Sequence, residues 1–350
     1  MGDAECSNCG EHVGYCQCGK YSYVSSFDDI EETEEREKRE TERKVQNARI
    51  DSQIRTVLAG KYPSDFKVSL EKLAQGDLSD ADLHGVKMPG AKMSGANMRF
   101  ANLRLADLSG ADLRGVDLTL ADMREANLTG ADLRDAELFR VDLRKANLRG
   151  ANITAAKFHH ANLHDAKLYK AIMQGADLRD ADLGYSELGE VDLRKANMAG
   201  ADLSGASMGA ANLRGANMTG VTLSNVTFGS VDLTGVDLRG ANFSRTIPHA
   251  VLLYAANLTG VILTEKNLTS SKLIGAILER ADLRRSDLSG SDLTGANLKR
   301  TDLERTRFTN ANLTGADLTG ANLLHAVMTG ANLTNANLSG ATMPDGSIHP

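Results

Sequence analysis

The residues best suited to chemistry are four cysteines, all within the first 18 positions: Cys6, Cys9, Cys16 and Cys18. They form two close pairs, Cys6-x-x-Cys9-Gly10 and Cys16-x-Cys18-Gly19. Four thiolates are a tetrahedral zinc set, and a glycine after each pair lets backbone amides approach the sulfurs. One structural zinc is the expected cofactor. The second pair is a residue tighter than usual, and His12 is available as a substitute ligand. Disulfides, a redox pair and unliganded thiols are the competing readings of the same residues.

The eight histidines are scattered. His159 and His160 adjoin His164 and Asp165. Alternating side-chain directions would bring His160 near His164, but no Glu or Cys completes a metal set. A chance surface cluster is the expectation there. No glycine-rich loop follows a strand and opens a helix, so a phosphate cradle is excluded.

The elements that must carry these residues follow from composition and period. Tryptophan is absent, aromatic residues make up 4%, and there are 33 glycines. A conventional core leans on bulky aromatic and branched side chains. Residues before Gln75 carry a net charge of -4 and the rest -2, so no one-sign basic field calls for nucleic acid. No stretch reaches the ~18 apolar residues of a membrane span, and no secretory segment opens the chain. A cytoplasmic protein is expected.

From Gly76 to Asp345 the sequence divides into 54 five-residue units without an insertion or deletion. Ala106-Asp107-Leu108-Ser109-Gly110 shows the rule. The centre is apolar in 53 units, chiefly Leu, and ten of the 11 methionines sit there as core filler. Two residues earlier the position is nearly always Ala, Val, Ser or Thr. The other three are polar, the last being Gly in 22 units. Five residues turn a helix through ~500°, so its leucines would wander round the axis. Two inward positions two apart suit an extended segment, and the remainder suits a turn. Repeated at constant length, strand and turn make an all-β solenoid whose coils bury their leucines by stacking.

These Ala-Asp/Asn-Leu-x-x units closely resemble the pentapeptide-repeat family. The resemblance covers more than three quarters of the chain. It implies a right-handed quadrilateral parallel β-helix with four units to the coil, hence about 13 coils and a rod roughly 65 Å long at the spacing of paired strands. The first cysteine pair resembles a zinc-ribbon knuckle, in a shortened form.

Ahead of the repeats, residues 1–20 form the Cys-rich segment and 21–27 a linker. Residues 28–59 read as a charged helix. Asp28, Asp29 and a run of glutamates precede Arg36, Lys38, Arg39, Arg43 and Lys44, the order a helix dipole favours. Gly60 and Pro63 stop it, and residues 60–75, with Phe66, Val68, Leu70 and Leu73, would cap the first coil. Residues 76–345 are the solenoid. The tail, 346–350, follows a final coil with one formal charge, Asp317, between Thr309 and Thr342. It either plugs the last coil or leaves it to pair with a second copy, giving a monomer or a homodimer. The plug is favoured, because the ending Met343-Pro344-Asp345-Gly346-Ser347-Ile348-His349 resembles the close of many bacterial, notably cyanobacterial, pentapeptide proteins.

The rule breaks in one region. Pro248 occupies a centre, and Lys266 occupies the small-residue position of the unit stacked on it. A local bulge releasing Lys266 to solvent is expected, since an amine will not sit unpaired in an apolar core. Nearby, Ile247, Leu252, Ile262 and Ile277 replace the outward Asp or Asn, and Tyr254 should stack beneath Ile274. Repeat decay accounts for such residues; a girdle for docking a partner is the functional reading. A second apolar spot, Phe100, Leu105 and Leu120, would support the segment before the rod. Arg104, Arg124 and Arg144 should form a ladder beside Asp122 and Asp142.

These features favour a non-catalytic structural or interaction protein that offers flat faces to a protein partner, with no direct nucleic-acid binding. The family resemblance supplies the runner-up, a DNA-mimicking inhibitor or protector of DNA gyrase or topoisomerase. Interspersed Arg and Lys weigh against that. For the cysteines, metal analysis of the purified protein should return about one zinc per chain, and none after Cys6→Ser with Cys9→Ser.

Overall fold

The computed structural model describes residues 77–244 and 251–350. All lie in the second of the chain's two units, Val57–Pro350. The cysteines, the 28–59 helix, the 60–75 cap, Ile247 and Pro248 lie outside the described residues.

Each unit repeats one conformation. Two inward residues flank one outward bridge residue, and a two-residue corner follows. The bridge residue pairs in parallel with the residue 20 positions on, as in Asp107↔Asn127 and Asn127↔Asn147, so four units close one coil. The faces take the labels I to IV, from the centres Leu78, Leu83, Met88 and Met93 and the residues 20 apart above each. Among the described residues there is no helix.

The backbone explains why the unit has five positions. In the unit 106–110, the Ala106 N–H closes a turn onto the Leu103 carbonyl. Asp107 donates back to Val86, while Leu108 and Gly110 donate forward to Asn127 and Thr129, all at 2.8–2.9 Å. The Ser109 N–H donates to the Asp107 carboxylate at 3.1 Å. Every backbone donor is thus satisfied, which burial between coils demands. The outward Asp or Asn earns its place in the repeat because its side-chain oxygen, two residues before the corner amide, closes an Asx turn. In most units where Thr follows an Asn-Leu pair, its hydroxyl joins the same acceptor, as Thr129 does on Asn127 at 2.6 Å. This fixes the Asn-Leu-Thr triplets as turn chemistry.

The last position of the unit has left-handed φ at every described corner from Asp80 to Gly340. Glycine meets that at no steric cost, yet 29 of these corners carry another residue. Phe100, Leu105 and Leu120, at φ of 58–60°, are the bulkiest apolar examples and stand 41–49% exposed. A bulky side chain is unusual in this region.

Inside, the small and central residues form two buried layers. Ala111, Leu113, Ala131 and Leu133 are all at most 1% exposed, and even Phe158 and Phe308 are fully enclosed. Most buried hydroxyls at the small position are satisfied within the coil stack, Ser271 being an exception: Ser286 and Ser291 Oγ each donate at 2.6 Å to the carbonyl three residues back. Thr306 Oγ1 donates to Leu283 at 2.7 Å, a coil away.

At the far end the tail covers less than a plug would. Residues 343–346 turn back, and Ile348 pairs antiparallel with Thr342. Gly340 donates to His349 and His349 to Ala341, each at 2.9 Å. That shields Ala341, but Met328, Leu333 and Leu338 remain only half-buried. Their N–H groups donate to no backbone carbonyl among the described residues. The tail caps one corner and leaves the rest of the last coil's edge open.

The narrow bore sets a clear expectation. Ala131→Leu has no void to enter and should lower stability by about 1–3 kcal/mol through overpacking, read from the denaturant midpoint.

Candidate functional site

All eight Asp-x-Arg triplets of the repeats fold the same way. Asp and Arg share the outward side of one strand, two residues apart, and the guanidinium forks onto the carboxylate. Arg114 donates through Nε and Nη2 to the two Asp112 oxygens at 2.7 Å each. Arg134, Arg144, Arg179, Arg194, Arg239 and Arg284 repeat the fork on the Asp two before them. The expected ladder is present in part. Arg124 forks onto Asp122 and reaches Asp142 at 3.5 Å, and Arg144 completes the next rung. Arg104 instead follows Asn102, which offers no carboxylate, and its Nε finds no partner.

The forks set the acid chemistry of the faces. Hydrogen bonds from the Arg two residues on, opposed by partial burial, hold the carboxyls of Asp112, Asp132, Asp177, Asp192, Asp237 and Asp282 below the ordinary range. Asp107 is also lowered, first by the Ser109 hydroxyl.

The apolar exceptions divide between faces. Leu252, Tyr254 and Ile274 share face IV, where Leu252 bridges Asp232 below and Lys272 above. Tyr254 and Ile274 stand in register one coil apart, linked by the Ala255 N–H on the Ile274 carbonyl at 2.9 Å. Ile277 follows Gly275 across the corner onto face I. Leu252 and Tyr254 are half-buried; Ile274 and Ile277 are 36% and 38% exposed. Ile262 lies on face II, opposite face IV, and is 64% exposed. The five candidate residues therefore do not form one patch. Three gather with Ile277 about the IV/I corner, Ile262 stands apart, and Ile247 falls outside the described residues.

Lys266 corrects another expectation. Its N–H closes the ordinary turn onto Leu263, and its carbonyl accepts from Asp287 at 2.9 Å, so the backbone here does not bulge. The side chain, half-buried, lines a groove of about 380 Å³ with Phe243, Ser244, Ile262 and Thr264. Phe228, one coil before Pro248 on face III, is half-buried, unlike Phe158 and Phe308. The sequence break at Pro248 pointed to this region, but nothing in the pattern indicated a groove.

His160 and His164 do not come together as the sequence suggested. His164 turns to Asp182, with Nδ1 3.3 Å from the carboxylate, and lies against the Tyr185 ring at 5.3 Å. His159 and His160 instead stack on one another and meet Asp180, which lies 20 residues beyond His160.

Bridges at a spacing of 20 residues, two buried layers and Asx turns at most corners define a four-sided solenoid of five-residue units. A profile of pentapeptide repeats matches eight stretches spanning residues 72–245 and 253–344. The chain belongs to the pentapeptide-repeat family. Solved structures similar to it include HetL, a pentapeptide repeat protein involved in heterocyst differentiation regulation in the cyanobacterium Nostoc sp. strain PCC 7120. HetL is 29% identical, covering 80% of this chain and 97% of its own, at a TM-score of 0.33. A thylakoid-lumen pentapeptide repeat protein of Arabidopsis thaliana is 36% identical over 30% of this chain and 69% of its own, at 0.24. QnrB1, a plasmid-mediated fluoroquinolone resistance protein, is 24% identical over 46% and 89%, at 0.28. No curated protein matches the chain. The family assignment rests on the repeat profile and the bridge register. No helix among the described residues is long and apolar enough to cross a membrane.

Acid should loosen the forks. A carboxyl depressed in the folded state contributes stability above its unfolded value, near 3.9, and loses it as pH falls through the lower folded value. The thermal midpoint should therefore hold steady from neutrality to about pH 5 and fall below about pH 4, less steeply in high salt.

Proposed function

We propose that the protein is a non-catalytic interaction scaffold, a right-handed solenoid of about 13 coils that binds a protein partner on one corner of its surface. The observation that carries this reading is the grouping of Leu252, Tyr254, Ile274 and Ile277 about the IV/I corner. At most bridge positions an Asp or Asn closes an Asx turn onto the corner amide, so Leu252 and Ile277 each give up a local hydrogen bond. Grouped exposed apolar side chains on a soluble surface commonly mark contact sites. In this reading Cys6, Cys9, Cys16 and Cys18 hold a structural zinc, remote in sequence from the patch.

The forks also favour a scaffold over a DNA mimic. A mimic needs rows of uncompensated acids, whereas here each Asp of an Asp-x-Arg triplet has a guanidinium on its own strand.

Restoring the repeat's own residues at the corner separates fold from contact. Leu252→Asp with Ile277→Asn should melt no lower than the parent, because each change returns an Asx-turn residue. The pair should nevertheless lose a partner that the parent and an Ile262→Asn control both capture. Retention of that partner by the double variant would remove the corner from the proposal. Inhibition of gyrase supercoiling by the parent at micromolar concentration would replace the scaffold reading with the runner-up.

A further inference from the structure

The I/II corner carries a group that the repeat rule does not require. His159 and His160 close one unit of face I, and Asp180 closes the unit stacked on it. Nitrogens of the two imidazoles and a carboxylate oxygen of Asp180 all lie within 4.8 Å of one another. His159 Nε2 is 3.4 Å from Asp180 Oδ2. The two rings stack at 4.1 Å between centroids, tilted by 23°. Phe139, in the coil before, sets its ring edge-on to both, at 5.8 and 6.1 Å.

We propose that His159, His160 and Asp180 bind a divalent transition-metal ion. Two imidazoles and one carboxylate are a borderline donor set suited to zinc, cobalt, nickel or copper, and poorly suited to calcium or magnesium. Ligand atoms about a tetrahedral ion with bonds near 2.0–2.1 Å stand about 3.3 Å apart. The His159–Asp180 pair, at 3.4 Å, already meets that separation. His160 and Asp180 are exposed, so a small side-chain rotation brings in the third ligand without moving the backbone. With three protein ligands, water completes the shell.

Two neighbouring features fit this use. Gly200 is the next residue of the column, and a Cβ there would stand 2.3 Å from Asp180 Oδ1. The carboxylate therefore lies over Gly200, in space that any larger residue would take. The nearby cations are engaged elsewhere. Arg179 forks onto Asp177, and the Arg140 guanidinium lies over the Phe139 ring at 5.2 Å. Neither of these contacts aims a positive charge at the three ligand atoms.

The test uses the full chain with all four cysteines changed to serine, so that the thiols cannot answer for the histidines. Cobalt is the probe, followed by visible absorption and by calorimetry. The expected result is saturable binding of one ion per chain. His160→Ala and Asp180→Asn should each weaken it by about tenfold or more, and Gly200→Ala by about tenfold through displaced Asp180. A His325→Ala control should bind as the parent does. Matching thermal melts exclude unfolding as the cause, since these side chains lie on the surface. No saturable cobalt binding by the cysteine-free chain overturns the proposal, as does binding unchanged by His160→Ala and Asp180→Asn.

Discussion

Everything in this molecule depends on vertical register. Each bridge residue hydrogen-bonds through its own N–H and carbonyl to the coil before it, as Asn127 does to Ala106 and Leu108, and its two flanking residues bond the coil after, so no unit is stable by itself and every unit is positioned by its neighbours. Because donors and acceptors must meet at one fixed spacing in every coil, one inserted residue would break the ladder on all faces above it. The unbroken run of units is the sequence's record of that requirement. The core follows from the same constraint. Coils at strand spacing leave room for only one small and one leucine-sized side chain per unit, and away from the last coil and the Phe228–Lys266 region both are buried to a few per cent.

The surface is as constrained as the interior. The residue before each centre acts twice, through its backbone in the ladder and through its side-chain oxygen in the corner, which is why Asp and Asn dominate a position open to water. When Arg follows two residues later, the same carboxylate receives a fork. Individual exposed ion pairs contribute little to stability. Here they neutralise acids that would otherwise stack in rows at strand spacing, where like charges repel.

Much of this could be read in the sequence. The two inward positions, the turn at the end of each unit and the corner polarity of Asn127 all follow from spacing and residue type. The four-sided section did not; it came from family resemblance, and the bridges confirm four units per coil. The left-handed corners were half-hidden, because glycine marks only some of them and Phe100 or Leu120 gives no local hint of positive φ. Side-chain sites were harder still. His160 was weighed against His164, its neighbour along the chain, although Asp180, one coil away, is the residue that stands within 4.8 Å of it. The interval of 20 residues would have found that pair. The open edge at Met328, Leu333 and Leu338 was not legible, since a five-residue tail does not reveal how far it reaches.

The fixed number of units per coil also acts as an angular index. Removing one whole unit between Asp180 and Leu252 would leave the interior layers and the ladder rule intact. Every side chain beyond the cut would nevertheless move round the axis by a quarter turn. The histidine corner and the Leu252 corner, set adjacent in azimuth by the present count, would then face new directions relative to each other. In such a fold the spacing between two surface features encodes their relative bearing as well as their distance, and evolution can change the first only in steps of a right angle.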